Sequence, residues 1–183
     1  MSPEEVTIIK LLDDIVRSAK VRALLDLAVV RTCEDLRARP KSVMAWEPLP
    51  LAPFGELPRF IRSAWIFVLR AGSNTGPERH PNSHQRMMSY AGVGDLQTRA
   101  TADEPWQSNV LISDSNASLE QRWISIPQNI WHQPVISPDD DWVVVSFHTV
   151  PAEDLIEERP DPARGIGTKQ MHYVDTRQSG IIA

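Results

Sequence analysis

The chain has 183 residues, with 42% hydrophobic and 23% charged side chains, enough for one globular domain and a small appendage. A domain of this size buries roughly 70% of the surface its unfolded chain exposes, so it needs no disulfide, and the single cysteine, Cys33, reads as half-buried packing. A net charge of −5 with both signs interspersed argues against nucleic acid as a partner, and no apolar run is long enough to span a bilayer. The default expectation is a soluble cytoplasmic protein that does not engage membranes. Fifteen prolines against eight glycines predict many short elements joined by stiff turns.

Residues 1–45 are expected to form a helical extension. Ser2-Pro3-Glu4-Glu5 combines a capping hydroxyl, a proline suited to the first helical position and acids near the positive end of the helix dipole. Ile8, Leu11, Leu12, Ile15 and Ala19 recur at helical spacing. Leu24, Leu25, Leu27 and Ala28 continue the pattern after a bend near Ala19–Arg22, and Pro40 ends it. The next stretch, "WEPLPLAPFGELP" (46–58), carries four prolines and reads as a linker or wrapping arm.

Beyond it the period changes to two. "FIRSAWIFVLR" (60–70), "QRMMSYAG" (85–92), "DLQTRAT" (95–101), "SNVLIS" (108–113), "QRWISIP" (121–127) and "DWVVVSFHTV" (141–150) are short, rich in β-branched and aromatic residues, and separated by turn clusters. Such a series predicts a mainly β barrel or sandwich over 46–160. Residues 161–183 read as an edge strand or an arm.

"GPERHPNSHQ" (76–85) concentrates candidate metal donors. Glu78 and His80, two apart, would face the same side of a strand. Taken alone this is a polar loop. A mononuclear site needs three or four converging donors, and His132, nearly fifty residues on in "SIPQNIWHQPV", is a distant candidate.

Together the two segments resemble the paired motifs of the cupin superfamily. Glu78-x-His80, four residues, Gln85, six residues, Gly92 has the spacing of the first motif, with glutamate for its first histidine and glutamine for its glutamate. Pro127-x-Asn129-x-x-His132 keeps the proline and histidine of the second. Asn129 stands at a family glycine, and Gln121 and Ile136 replace the family's upstream glycine and terminal asparagine. Asn tolerates the left-handed backbone that such a glycine serves.

The resemblance implies a double-stranded β-helix, the cupin jelly-roll barrel, behind the helical extension. It also implies one divalent transition metal (Fe, Zn, Mn or Ni) held in the barrel mouth. The third ligand position falls to His84 or Gln85. His84 is preferred, since Glu78, His80, His84 and His132 restore the family's three imidazoles and one carboxylate, and imidazole suits these metals.

If His84 faces the metal, Arg86 and Tyr90 share its side of the strand. Arg86 would then hold an anionic group and Tyr90 would donate a proton. On the last strand His148 is a candidate acid or base, and Trp131 reads as barrel wall. Asp139–Asp141 lacks the spacing of a calcium loop, and the "RGIG" stretch from Arg164 lacks the strand–helix context of a nucleotide loop.

The expected function is metal-dependent chemistry on a small-molecule substrate: dioxygenase-like oxidation of an organic acid, enediol or diketone. The alternatives are a non-catalytic ligand-sensing barrel and a metal-free epimerase or isomerase using His80 or His132 with Tyr90. A homodimer is the expected assembly, as is common for cupins.

Overall fold

The computed structural model describes residues 1–161, 163 and 167–177. Helix α1 (Pro3–Arg17) starts as its sequence requires, with the Ser2 hydroxyl accepting from the Glu5 amide. It ends at Ser18, which also starts α2 (Ala19–Ala38). The Ser18 hydroxyl donates to the Ile15 carbonyl at 2.7 Å and accepts from the Val21 amide at 3.4 Å, so one extended residue closes one helix and opens the next.

The strands are β1 (Met44–Leu49), β2 (Ser63–Leu69), β3 (Gln85–Ala91), β4 (Val93–Arg99), β5 (Val110–Ile112), β6 (Trp123–Ile126), β7 (Trp131–Ile136), β8 (Trp142–His148), β9 (Ile156–Pro160) and β10 (Thr168–His172). A single helical turn, α3 (Leu119–Arg122), precedes β6. One sheet runs β1-β2-β8-β3-β6 and a second runs β5-β4-β7, all antiparallel; β9 and β10 form a hairpin. The chain passes from the first sheet to the second at Gly92, whose φ of +83° suits glycine, and a Cβ there would lie 2.8 Å from the Asp141 carbonyl oxygen. Two facing sheets that exchange strands in this way make a jelly roll.

The proline-rich stretch read as a linker in fact begins with β1, which starts at Met44. β1 is an edge strand, and Pro48 is tolerated there because an edge leaves one row of backbone amides without a sheet partner. β7 was likewise hidden, since "WHQPVI" carries a proline and two polar residues. The "RGIG" stretch from Arg164 lies largely outside the described residues, as does the end of the tail.

Two apolar layers result from alternation along the strands. Ala64, Ile66 and Val68 of β2, with Val143, Val145 and Phe147 of β8, face outward against Ile9, Leu12, Val16, Leu25 and Leu36 of the helices. Trp65, Phe67 and Leu69, with Trp142 and Val144, face into the barrel beside Leu96, Leu111 and Ile136. Both faces of β2 and β8 are therefore buried, and their apolar runs are continuous. Cys33 packs half-buried at the edge of the outer layer, where burial pushes its thiol pKa up.

Polar anchors fix the helices to the sheet. Asp13 on α1 accepts two hydrogen bonds from Arg122, the second at 2.8 Å, and a third from the Trp123 indole at 2.9 Å. Both charged side chains are buried, so removing one partner leaves the other uncompensated. Asp13→Ala is expected to cost about 3 kcal/mol in urea unfolding, the scale for breaking a buried pair.

Candidate metal centre

Glu78 and His132 meet through their backbones. Each donates its amide to the other's carbonyl, at 2.9 and 2.8 Å, an antiparallel bridge that joins Glu78 to β7. Directly paired residues project to the same face, so the carboxylate and the imidazole enter the barrel side by side. Arg79 makes the equivalent bridge with Glu158 of β9, so the segment lies between β7 and the hairpin. The second motif's turn places Asn129 at φ 64°, the left-handed conformation expected for a residue at the family glycine.

Glu78, His80 and His132 form a buried group whose donor atoms all lie within 4.8 Å of one another. His80 Nδ1 lies 2.9 Å from the Ile156 carbonyl oxygen, and His132 Nδ1 lies 3.1 Å from that of Ile130. A carbonyl only accepts, so both Nδ1 atoms carry a proton, which leaves Nε2 as the ligand atom of each ring. His132 Nε2 is buried without a hydrogen-bond partner, 3.4 Å from Glu78 Oε1. Metal-ligating histidines are oriented in the same way. The donor set therefore fits a divalent transition ion.

The expected third histidine is not in the barrel. His84 and Gln85 adjoin on alternating backbone, so only one can face inward, and it is Gln85. Gln85 donates from Nε2 to Ser146 Oγ at 3.0 Å, while its Oε1 lacks a partner beside Glu78 and His132. His84 turns to the outer face, 2.7 Å from Ser125 Oγ and 3.7 Å from Glu5 of α1.

Arg86 and Tyr90 follow His84 outward, and their expected substrate roles are corrected with it. Arg86 makes two bonds to Glu5, at 2.7 and 2.9 Å, and Tyr90 donates to Asp26 of α2 at 2.6 Å. Burial and the Asp26 charge raise the Tyr90 phenol pKa to about 12. These residues lock the helices to the sheet. His148 does lie inside, edge-on to His80 at 5.2 Å, but both its nitrogens meet hydroxyls, Ser83 at 3.2 Å and Ser146 at 2.9 Å. Trp131 is buried in the wall under Arg79.

The sequence reading missed three residues of the tail: Glu157, Arg159 and Tyr173. Arg159 donates from Nε to Glu157 and from Nη2 to Glu78, and from Nη1 to the Thr75 carbonyl at 2.6 Å. Burial opposes the Glu78 charge, but Arg159 and His132 outweigh it and hold the carboxyl at about 2. Burial and the neighbouring Glu78 push Glu157 up to about 7, and its Oε2 has no partner. Burial, followed by the nearby His132, lowers His80 to about 4. Burial with the charges of its neighbours puts His148 well below the ordinary imidazole range. The only sequence signal was the i,i+2 spacing of Glu157 and Arg159 at the polar end of the stretch assigned to the barrel.

The cavity beside Glu78, Gln85 and His132 is about 30 Å³, the scale of a single water or ion. A larger cleft of about 610 Å³ lies between the loop after β4 and β6, but none of the three donors lines it. Convergent buried donors, rather than void volume, locate the chemistry.

No protein-family model matches the sequence, and no curated protein sequence does. Among solved structures, the capsular polysaccharide assembling protein CapF from Staphylococcus aureus superposes with a TM-score of 0.47 at 15% identity, over 69% of this chain and 31% of that one. The coconut allergen cocosin gives 0.48 at 20% identity, over 65% and 28%. An oxalate oxidase in complex with the substrate analogue glycolate gives 0.47 at 14% identity, over 74% and 57%. The chain thus spans less than two thirds of each of these proteins. The fold assignment rests on the strand order and register: this is a jelly-roll barrel with an N-terminal pair of helices, the fold that the cupin resemblance implies. Among the described residues, no helix is long and apolar enough to cross a membrane.

The buried imidazoles set a pH dependence. Folded His80 takes up a proton only near pH 4, against 6.5 when exposed. Between those values the unfolded chain binds the extra proton, so this contribution to stability is lost as pH falls from 6.5 to 4. Its size is about 3 kcal/mol. Glu157 contributes with the opposite sign, so the comparison is with His80→Gln, which retains Glu157. In urea unfolding with chelator present, the variant is expected to show a shallower acid loss than wild type.

Proposed function

We propose that the barrel binds one divalent transition metal through Glu78, His80 and His132, and that the chain acts there on a small organic substrate. One observation carries this reading. Two imidazoles, each held with Nδ1 against a backbone carbonyl, turn Nε2 toward an ionised carboxylate, with His132 Nε2 buried and unpartnered. Leaving such an atom unsatisfied costs about 1–3 kcal/mol, which an ion would relieve.

When bound, such an ion supplies Lewis acidity and open positions for a chelating organic acid, enediol or diketone, and iron adds redox chemistry with O₂. Dioxygenase-like oxidation is the activity we propose. Arg159 keeps Glu78 ionised and takes up one of its oxygens, leaving Oε1 toward His132. Glu157 can hold or release a proton at Oε2 near neutral pH. Met87, Leu96 and Val144 exclude water from the cavity.

A non-catalytic ligand-binding barrel is the second reading, favoured by the neutral Gln85 amide that faces the site where the cupin motif has a glutamate. The metal-free epimerase reading loses its acid, because Tyr90 lies outside the barrel bonded to Asp26.

Elemental analysis of untagged protein tests the metal. Wild type is expected to hold about one equivalent, and His132→Ala and Glu78→Gln under about a tenth of that. His84→Ala should retain the wild-type content. Loss in His84→Ala with retention in His132→Ala would contradict the assignment. O₂ consumption with chelating organic acids, compared before and after metal removal, then separates the two readings.

A further inference from the structure

The tail inserts a ring into the barrel. Tyr173 follows β10, its amide donating to the Leu155 carbonyl at 2.8 Å, and its side chain is buried at 2% exposure. Three aromatic side chains of the first sheet surround it: Trp46 at 5.3 Å between ring centroids, Trp65 at 5.5 Å and Phe67 at 6.0 Å. His80 of the donor group completes the cage at 6.1 Å. The ring also borders the small cavity beside Glu78 and His132.

Edge-to-face and tilted contacts at these separations hold a flat ring with a defined orientation. The cage walls belong to β1, β2 and the segment before β3, whereas the ring follows β10, which pairs with β9 alone among the strands. With the ring in place, the space left is ion-sized. With the ring withdrawn, the same walls enclose an apolar seat next to the donors. Apolar cavities on the order of 150 Å³ bind a benzene-sized ligand.

We propose that Tyr173 occupies the barrel's own ligand seat, and that the seat takes a monocyclic phenol when the hairpin end withdraws. The tail is then a built-in competitor, and ligand entry requires its displacement. This goes beyond the proposed reading by giving the same barrel a further ligand class, and it rests on that reading only for the ion that the ligand's hydroxyl would approach. The seat itself needs no metal.

The test uses full-length, metal-free protein and p-cresol, the side chain of tyrosine as a free molecule. Tyr173→Ala should show saturable quenching of tryptophan fluorescence by p-cresol and a raised Tm. Wild type pays for opening, so its apparent affinity should be at least about tenfold weaker. Tyr173→Phe keeps the ring and should exclude p-cresol as wild type does. Folded Tyr173→Ala without saturable binding, or with wild-type affinity, overturns the proposal.

Should Tyr173→Ala fail to fold, hydrogen exchange on wild type decides. At high p-cresol, exchange should rise over residues 168–177 while residues 63–69 become protected. Unchanged exchange at 168–177 overturns the proposal. Because every arm is metal-free, failure here leaves the metal reading to its own elemental analysis, and failure there leaves the seat standing.

Discussion

The ion pair between Arg159 and Glu78 is the interaction on which the rest of the barrel interior depends. A carboxylate in this enclosure costs several kcal/mol in lost hydration unless a cation and hydrogen bonds compensate it. Arg159 supplies both, and in doing so ties the β9–β10 hairpin to the two-sheet barrel. The same hairpin gives the Ile156 carbonyl that fixes His80. It also gives Glu157, which competes for the one guanidinium and holds its proton to about neutral pH. The donor group is therefore built jointly by the motif segments and by a tail that lies beyond them.

That division explains how far the sequence could be read. The period-two stretches become strands because their apolar alternation matches the two buried layers. Asn129 could be placed in a left-handed turn because few residues other than glycine tolerate it. Glu78, His80 and His132 were singled out by their resemblance to the two cupin motifs, and the structure brings them together. Choosing between His84 and Gln85 was not, because parity on β3 depends on where the Pro81-Asn82-Ser83 turn ends. A one-residue difference sends a side chain to the opposite face. β1 was obscured by prolines that an edge strand tolerates, and Glu157 and Arg159 by a composition indistinguishable from a solvated surface.

The misplaced residues have a coherent role of their own. His84, Arg86 and Tyr90 occupy the outer face of the first sheet, where an uncovered polar row would ordinarily meet solvent. Here α1 and α2 cover it, and Glu5 and Asp26 answer the sheet's polar groups. Asp13 with Arg122 and Trp123 does the same further along α1. The helices are thus positioned by specific polar pairs as well as by the apolar stripe of Ile9, Leu12 and Val16. The barrel keeps its inner face for the donor group and the aromatic cage.

Glu78, His80 and His132 are proposed to act together as the ligands of one ion. The most direct measurement is an anomalous-difference map from a crystal loaded with cobalt. A single strong peak is expected within ligand distance of Glu78, His80 and His132, roughly 2.0–2.2 Å. No peak is expected at His84. A fully loaded crystal with its peak elsewhere, or with none at these three residues, would contradict this assignment.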